Sequence, residues 1–216
     1  MLKGTKFHLA TPDNQVQKMF ENKGLIHEED YDEPFDCLVF VGGADITPFL
    51  YGEIKLKKTV CDFSRDLLEI KKFKGVKKTF PKIGICRGAQ FLNVMAGGSM
   101  YQHVDNHSGF HEIKDLWYDR VYKVTSTHHQ MMIPSSDATL LFAANRSTRR
   151  ESASDVVIRN HSTDKEWDDP EVVVYYDYNA LCFQPHPEYK DLVTQDLFWE
   201  LVETHVSFKT ETKQLN

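Results

Sequence analysis

A cysteine framed by two glycines, Gly84-Ile-Cys86-Arg-Gly88, is the first place where residue type and spacing suggest chemistry. Ile83 and Ile85 read as the end of a buried strand, whereas Ala89, Leu92 and Ala96 recur at helical spacing, so the period changes at Cys86. A strand-to-helix turn of the form G-x-C-x-G is the thiol counterpart of the G-x-S-x-G elbow, whose small neighbours let one strained residue project above a sheet. The N–H groups opening the next helix then favour thiolate over thiol. The plainer reading is a buried small hydrophobe, the usual fate of a free cysteine.

His186-Pro-Glu188 supplies what such a thiol needs. Pro185 and Pro187 hold their neighbourhood out of the helical region, and residues i and i+2 of an extended segment point the same way. His186 can then meet the thiolate while Glu188 orients the imidazole, an arrangement of nucleophile, base and orienter. The plainer reading of the pair is a surface ion pair.

With these residues in view, the chain resembles the class I glutamine amidotransferase superfamily, and within it the γ-glutamyl hydrolase-like branch, similar to γ-glutamyl-γ-aminobutyrate hydrolases. The resemblance rests on Gly84-Ile-Cys-Arg-Gly-Ala-Gln90 with His186-Pro-Glu188. Three further stretches extend it: Gly42-Gly-Ala-Asp-Ile-Thr-Pro48 with Tyr51-Gly-Glu53, Ala96-Gly-Gly-Ser-Met-Tyr-Gln102, and Ser126-Thr-His-His-Gln130. They follow the family's order from about residue 36 to 190.

The resemblance implies acyl transfer from a γ-glutamyl amide, with Cys86, His186 and Glu188 as the catalytic triad. The backbone N–H groups of Arg87 and Gly43 would form the oxyanion hole. Gln90, His128, His129 and Gln130 would contact the small-molecule substrate. Adjacent histidines cannot both face inward on a strand, which leaves open which of His128 and His129 does so. No cofactor is implied. His103, His107 and His111 repeat every four residues, but Gly109 and Asn106-His-Ser among them read as a loop, so no metal is assigned.

Three functions follow: a free-standing γ-glutamyl hydrolase working through a thioester, an amidotransferase subunit passing ammonia to a separate synthetase partner, and a non-catalytic binding or regulatory relic of the fold. The Gly-Gly-Ala-Asp and Ser-Thr-His-His-Gln stretches favour the first. Retention of Cys86, His186 and Glu188 together weighs against the third.

The elements that must position these residues are legible as a series. Lys6–Ala10 reads as a first strand, followed by an Asp13-capped helix carrying Val16, Met19 and Phe20 and ended by Gly24. Phe35–Val41 is a nearly unbroken apolar run, the mark of a central parallel strand, and it leads straight into Gly42-Gly43. A helix from about Ser64 to Lys74 passes through a lysine-rich, solvated end into the strand before Cys86. Arg120–Thr125, Thr139–Ala143, Val156–Arg159, Glu171–Tyr176 and Ala180–Gln184 are strand candidates, ahead of a helix over about Asp191–His205, while Arg146–Asp155 reads as an exposed loop.

This alternation predicts a single-domain α/β fold over residues 1–216: a mostly parallel, flavodoxin-like sheet flanked by helices, with a strand-rich C-terminal half. Gly43, Cys86 and His186 each follow a strand, so they should share the crevice beyond the carboxyl ends. A length of 216 residues at 41% hydrophobic suits one core. A net charge of −6 argues against a nucleic-acid partner, and no apolar run approaches the roughly 20 residues that span a bilayer. Four scattered cysteines and a start without an apolar signal core predict a cytoplasmic protein with reduced thiols.

Overall fold

The computed structural model describes residues 2–160 and 166–208. Nine of its strands form one twisted sheet: β1 (Lys6–Leu9), β2 (Ile26–His27), β3 (Cys37–Phe40), β4 (Lys82–Ile85), β7 (Ser108–Asp115), β8 (Val121–Thr127), β10 (Thr139–Ala144), β13 (Asp169–Tyr175) and β14 (Ala180–Phe183). The smaller pieces are β5 (Ser99–Tyr101) paired with β9 (Met131–Ile133), and β6 (His103–Val104) with β11 (Arg149–Glu151) and β12 (Val156–Ile158). Across the large sheet the order is β2-β1-β3-β4-β14-β13-β10-β7-β8. From β2 to β14 all neighbours are parallel, and from β14 to β8 all are antiparallel. The sheet is therefore mixed: its parallel half carries the expected architecture and the strand-rich half is added along one edge.

Four helices cover it: α1 (Asn14–Asn22), α2 (Phe63–Lys74), α3 (Arg87–Met95) and α4 (Leu192–His205). Carboxylates start three of them. Asp13 accepts from the backbone N–H groups of Gln15 and Val16, Asp62 from that of Arg65, and Asp191 from that of Thr194. Such caps satisfy N–H groups that a helix leaves unpaired at its start. The alternation along β3 shows why both faces are dry. Cys37 and Val39 join Val16, Phe20, Phe198 and Val202 on one side, while Leu38 and Phe40 join Phe91 and Leu92 of α3 on the other.

Two expectations are corrected. The stretch around His103 to His111, read as a loop, contains β6 and the first half of β7, and Arg146–Asp155, read as an exposed loop, contains β11. In β7 the inward positions are taken by His111 and Ile113, alternating with exposed Phe110 and Glu112. A histidine in an inward place breaks the apolar signal by which a half-buried strand is recognised. Among the described residues no helix is long and apolar enough to cross a membrane.

Candidate active site

Three neighbouring parallel strands, β3, β4 and β14, end at one place, and the candidate residues follow their tips. Ile85 is paired with Phe183, so the turn bearing Cys86 and the segment bearing His186 leave the sheet side by side. Cys86 adopts φ 52° and ψ −111°, a conformation that L-residues other than glycine rarely take. The flanking glycines make that turn buildable. A Cβ at Gly84 would stand 2.4 Å from the carbonyl oxygen of Gly88, and one at Gly88 would stand 2.1 Å from the carbonyl oxygen of Phe40. Three backbones therefore cross with no room for side chains, and α3 begins immediately at Arg87.

His186 Nδ1 lies 2.6 Å from Glu188 Oε1, and the three side chains are nearly buried, at 9%, 5% and 7% exposure for Cys86, His186 and Glu188. Glu188 does not reach His186 from an extended strand, as expected; Pro187–Tyr189 is a 3-10 turn that folds the carboxylate back onto the ring. Burial lowers the pKa of His186, but hydrogen bonds and negative charge from Cys86 and Glu188 outweigh it and raise the pKa to about 11. Its Nε2 also lies 2.8 Å from Thr127 Oγ1, and Tyr189 stacks on the ring at 4.4 Å between centroids. A Cβ on Gly42 would be 3.5 Å from His186 Cε1 and 3.9 Å from Cys86 Cβ, so the glycine turn closes over both groups.

The other expected residues meet in the same cleft of about 280 Å³, lined by Gly43, Asp45, Cys86, Arg87, Gln90, Thr127, His128, His129, Gln130, His186 and Tyr189. Gly43 has φ +142°, and a Cβ there would collide with the Arg65 guanidinium at 2.1 Å. The Arg87 side chain turns away from the cleft, fully buried and ion-paired with both Asp66 and Glu69 of α2. Arg87, at the start of α3, is nonetheless among the residues lining the cleft. Gln90 donates to Gln184 Oε1 at 3.2 Å, and His128 and Gln130 are buried beside it.

His128 and His129 lie just past the end of β8 and face different ways. His128 points inward toward Glu171, whereas half-exposed His129 sits with Nε2 3.0 Å from Asp45 Oδ1. That hydrogen bond raises the His129 pKa against the opposing effect of burial. Sequence reasoning missed Asp45, Thr127, Tyr189 and the Asp66–Glu69 pair as parts of this site. Asp45 and Thr127 lay inside stretches already singled out, Tyr189 stands three residues from His186 but forms no pattern with it, and Asp66 and Glu69 carried no local signal because their partner Arg87 is about twenty residues away.

The Peptidase C26 family model matches residues 25–160. Among curated proteins, the glutamine amidotransferase-like protein YvdE of Lactococcus lactis subsp. lactis is 38% identical over 96 residues, which is 44% of this chain and 39% of that protein. Protein NtpR of Enterococcus hirae is 32% identical over 136 residues, 50% of this chain and 57% of that protein. The chain thus spans about half the length of these curated relatives. A glutamine amidotransferase structure from Thermotoga maritima superposes with a TM-score of 0.57 at 14% identity, covering 94% of this chain and 86% of that one, a likeness of fold. The family match runs over more than half of the sequence and takes in Cys86 with the glycines that shape its turn, and the chain belongs to the Peptidase C26 family.

Proposed function

We propose that this chain is a cysteine-dependent hydrolase that cleaves a γ-glutamyl amide bond through a γ-glutamyl thioester on Cys86. The observation that carries the reading is the left-handed Cys86 turn at the start of α3, with a carboxylate-held imidazole on the adjoining strand tip. The Cys86 thiolate attacks the γ-carbonyl carbon, and the negative charge moves to the carbonyl oxygen. The N–H groups of Gly43 and Arg87 stabilise that oxyanion. On collapse the C–N bond breaks, and the His186 imidazolium gives its proton to the departing amine. Water then attacks the thioester with neutral His186 as base, releasing glutamate and the thiolate. Glu188 holds the imidazole in its useful tautomer throughout.

Asp45 and His129 stand together at the cleft, a carboxylate beside an imidazole whose pKa it raises. The carboxylate suits the α-ammonium of a glutamyl group and the imidazole N–H its α-carboxylate, with Gln90 and Gln130 lining the same cleft. A second reading, a glutaminase subunit feeding ammonia to a synthetase, is favoured by the glutamine amidotransferase-like description of the YvdE relative. Released glutamate from glutamine, a γ-glutamyl amine and a γ-glutamyl dipeptide, assayed with the chain alone, separates the two. Faster release from the γ-glutamyl amine or dipeptide than from glutamine supports the hydrolase, and no release from any of them overturns it.

A further inference from the structure

Beyond the cleft, three histidines and a carboxylate from separate parts of the chain converge in the interior. His107 immediately precedes β7, His111 lies within it, His128 follows β8, and Glu171 belongs to β13. Their exposures are 1%, 2%, 4% and 0%, and one donor atom from each lies within 4.8 Å of the others. His103, which shared the four-residue spacing, is not among them. It sits on β6 with its ring 5.9 Å from that of His129.

The internal bonding of this group is lopsided. Glu171 Oε1 alone faces His107 Nδ1 at 2.9 Å, His111 Nε2 at 2.9 Å and His128 Nε2 at 3.3 Å, whereas Glu171 Oε2 and His111 Nδ1 have no hydrogen-bond partner among the described residues. The tautomer of His128 sharpens the point. Its Nδ1 lies 2.8 Å from the carbonyl oxygen of Gln130, which can only accept, so Nδ1 carries the hydrogen. In the neutral ring, Nε2 then turns a lone pair toward a carboxylate. Two acceptors facing each other in a dry interior repel unless a positive centre lies between them.

We propose that His107, His111, His128 and Glu171 form a structural zinc-type site that fixes the Ser126–Gln130 segment of the cleft to β7 and β13. Three imidazole nitrogens and one carboxylate oxygen are a donor set that suits zinc, and four protein donors with no open position characterise a structural rather than a catalytic site. The outer partners fit as well. Besides the Gln130 carbonyl behind His128, Asp169 Oδ2 lies 3.3 Å from His107 Nε2, on the side of the ring away from Glu171. Such carbonyl and carboxylate contacts orient metal-bound imidazoles. Tetrahedral zinc with bonds of about 2.1 Å sets its ligand atoms about 3.4 Å apart, so Glu171 Oε1, now 2.9–3.3 Å from the three nitrogens, draws back from them as the ion enters.

The test uses the whole chain, stripped with a chelator and titrated with Zn2+ or Co2+. The expected result is one tightly held metal per chain by elemental analysis, a rise in Tm on addition, and the strong visible absorption of tetrahedral Co2+. His111→Ala and Glu171→Gln should each weaken binding by about a hundredfold or more, since even outer contacts are worth ten- to a hundredfold. His103→Ala should leave binding unchanged. If a variant fails to fold, the cobalt spectrum of the native chain and its loss on adding Zn2+ decide alone. No uptake by the native chain, equal uptake by His111→Ala, or an octahedral cobalt spectrum overturns the assignment and leaves a hydrogen-bonded histidine cluster.

Discussion

The ring of Tyr189 lies face to face with the imidazole of His186, with centroids 4.4 Å apart and planes 3° from parallel. Glu188 holds one edge of the same imidazole and Thr127 Oγ1 lies at the opposite nitrogen, so the ring is fixed in plane and from one face. Aromatic stacking of this kind is worth about 1 kcal/mol. Tyr189→Ala should therefore lower kcat by about fivefold with little change in KM, and Tyr189→Phe should retain the native rate. Steady-state kinetics on a γ-glutamyl amide check it.

Backbone strain at Cys86 predicts a reversal of the usual ranking of substitutions. Cys86→Ala and Cys86→Gly should both lose turnover, yet Cys86→Gly should be the more stable protein by about 1 kcal/mol. Glycine takes a positive φ without the penalty of about 1–3 kcal/mol that other residues incur. Urea unfolding of the two variants provides the comparison.

Thiol reactivity should follow environment. Burial pushes the thiols of Cys37 and Cys182 far up, whereas Cys86 faces a histidine and a helix start. Alkylation by iodoacetamide, mapped by mass spectrometry, should mark Cys86 well before Cys37 or Cys182. Equal labelling of the three would remove the case for an activated nucleophile.

The raised pKa of His186 sets a pH profile. With a folded value of about 11 against an ordinary 6.5, its stabilising contribution is complete below about 6.5 and is lost as pH rises through about 11. Thioester formation, which uses the imidazolium, should hold its rate from about pH 7 to about pH 9 in single-turnover measurements. Once Cys86 is acylated its charge is gone. The same ring then loses part of what kept it protonated and can serve as base for deacylation.

The buried Arg87 network predicts a stability effect without direct chemistry. Arg87→Ala removes the guanidinium from Asp66 and Glu69, both at 0% exposure, leaving Glu69 with Arg65 and Asp66 with only the Thr47 backbone N–H among the described residues. Breaking a buried pair in this way costs about 3–5 kcal/mol. Thermal unfolding should show a large drop in Tm, with Arg87→Lys intermediate because one ammonium cannot serve both carboxylates as a guanidinium does.

What could be read in the sequence was whatever repeats locally. The apolar run before Gly42, the change of period at Cys86 and the Asp13 cap each concern near neighbours, and β3, α3 and α1 formed where they were expected. The direction of β13 and β10 could not be read, because pairing is decided across the sheet. The sharpest miss was Glu171. It opens the run Glu-Val-Val-Val-Tyr-Tyr, where a carboxylate looks like the edge of a strand. Its neighbours are His107, His111 and His128, more than forty residues away in the chain, and no window on the sequence contains them together.

The register of β4 against β14 has a consequence in time. Ile85 and Phe183 are partners in the sheet, yet about a hundred residues separate them, and closing so long a loop comes late in folding. During synthesis, Cys86 leaves the ribosome long before His186 exists. The nascent protein therefore carries an ordinary thiol until the antiparallel half has been made and β14 slots in beside β4. Activation of the proposed nucleophile thereby waits for the sheet to close.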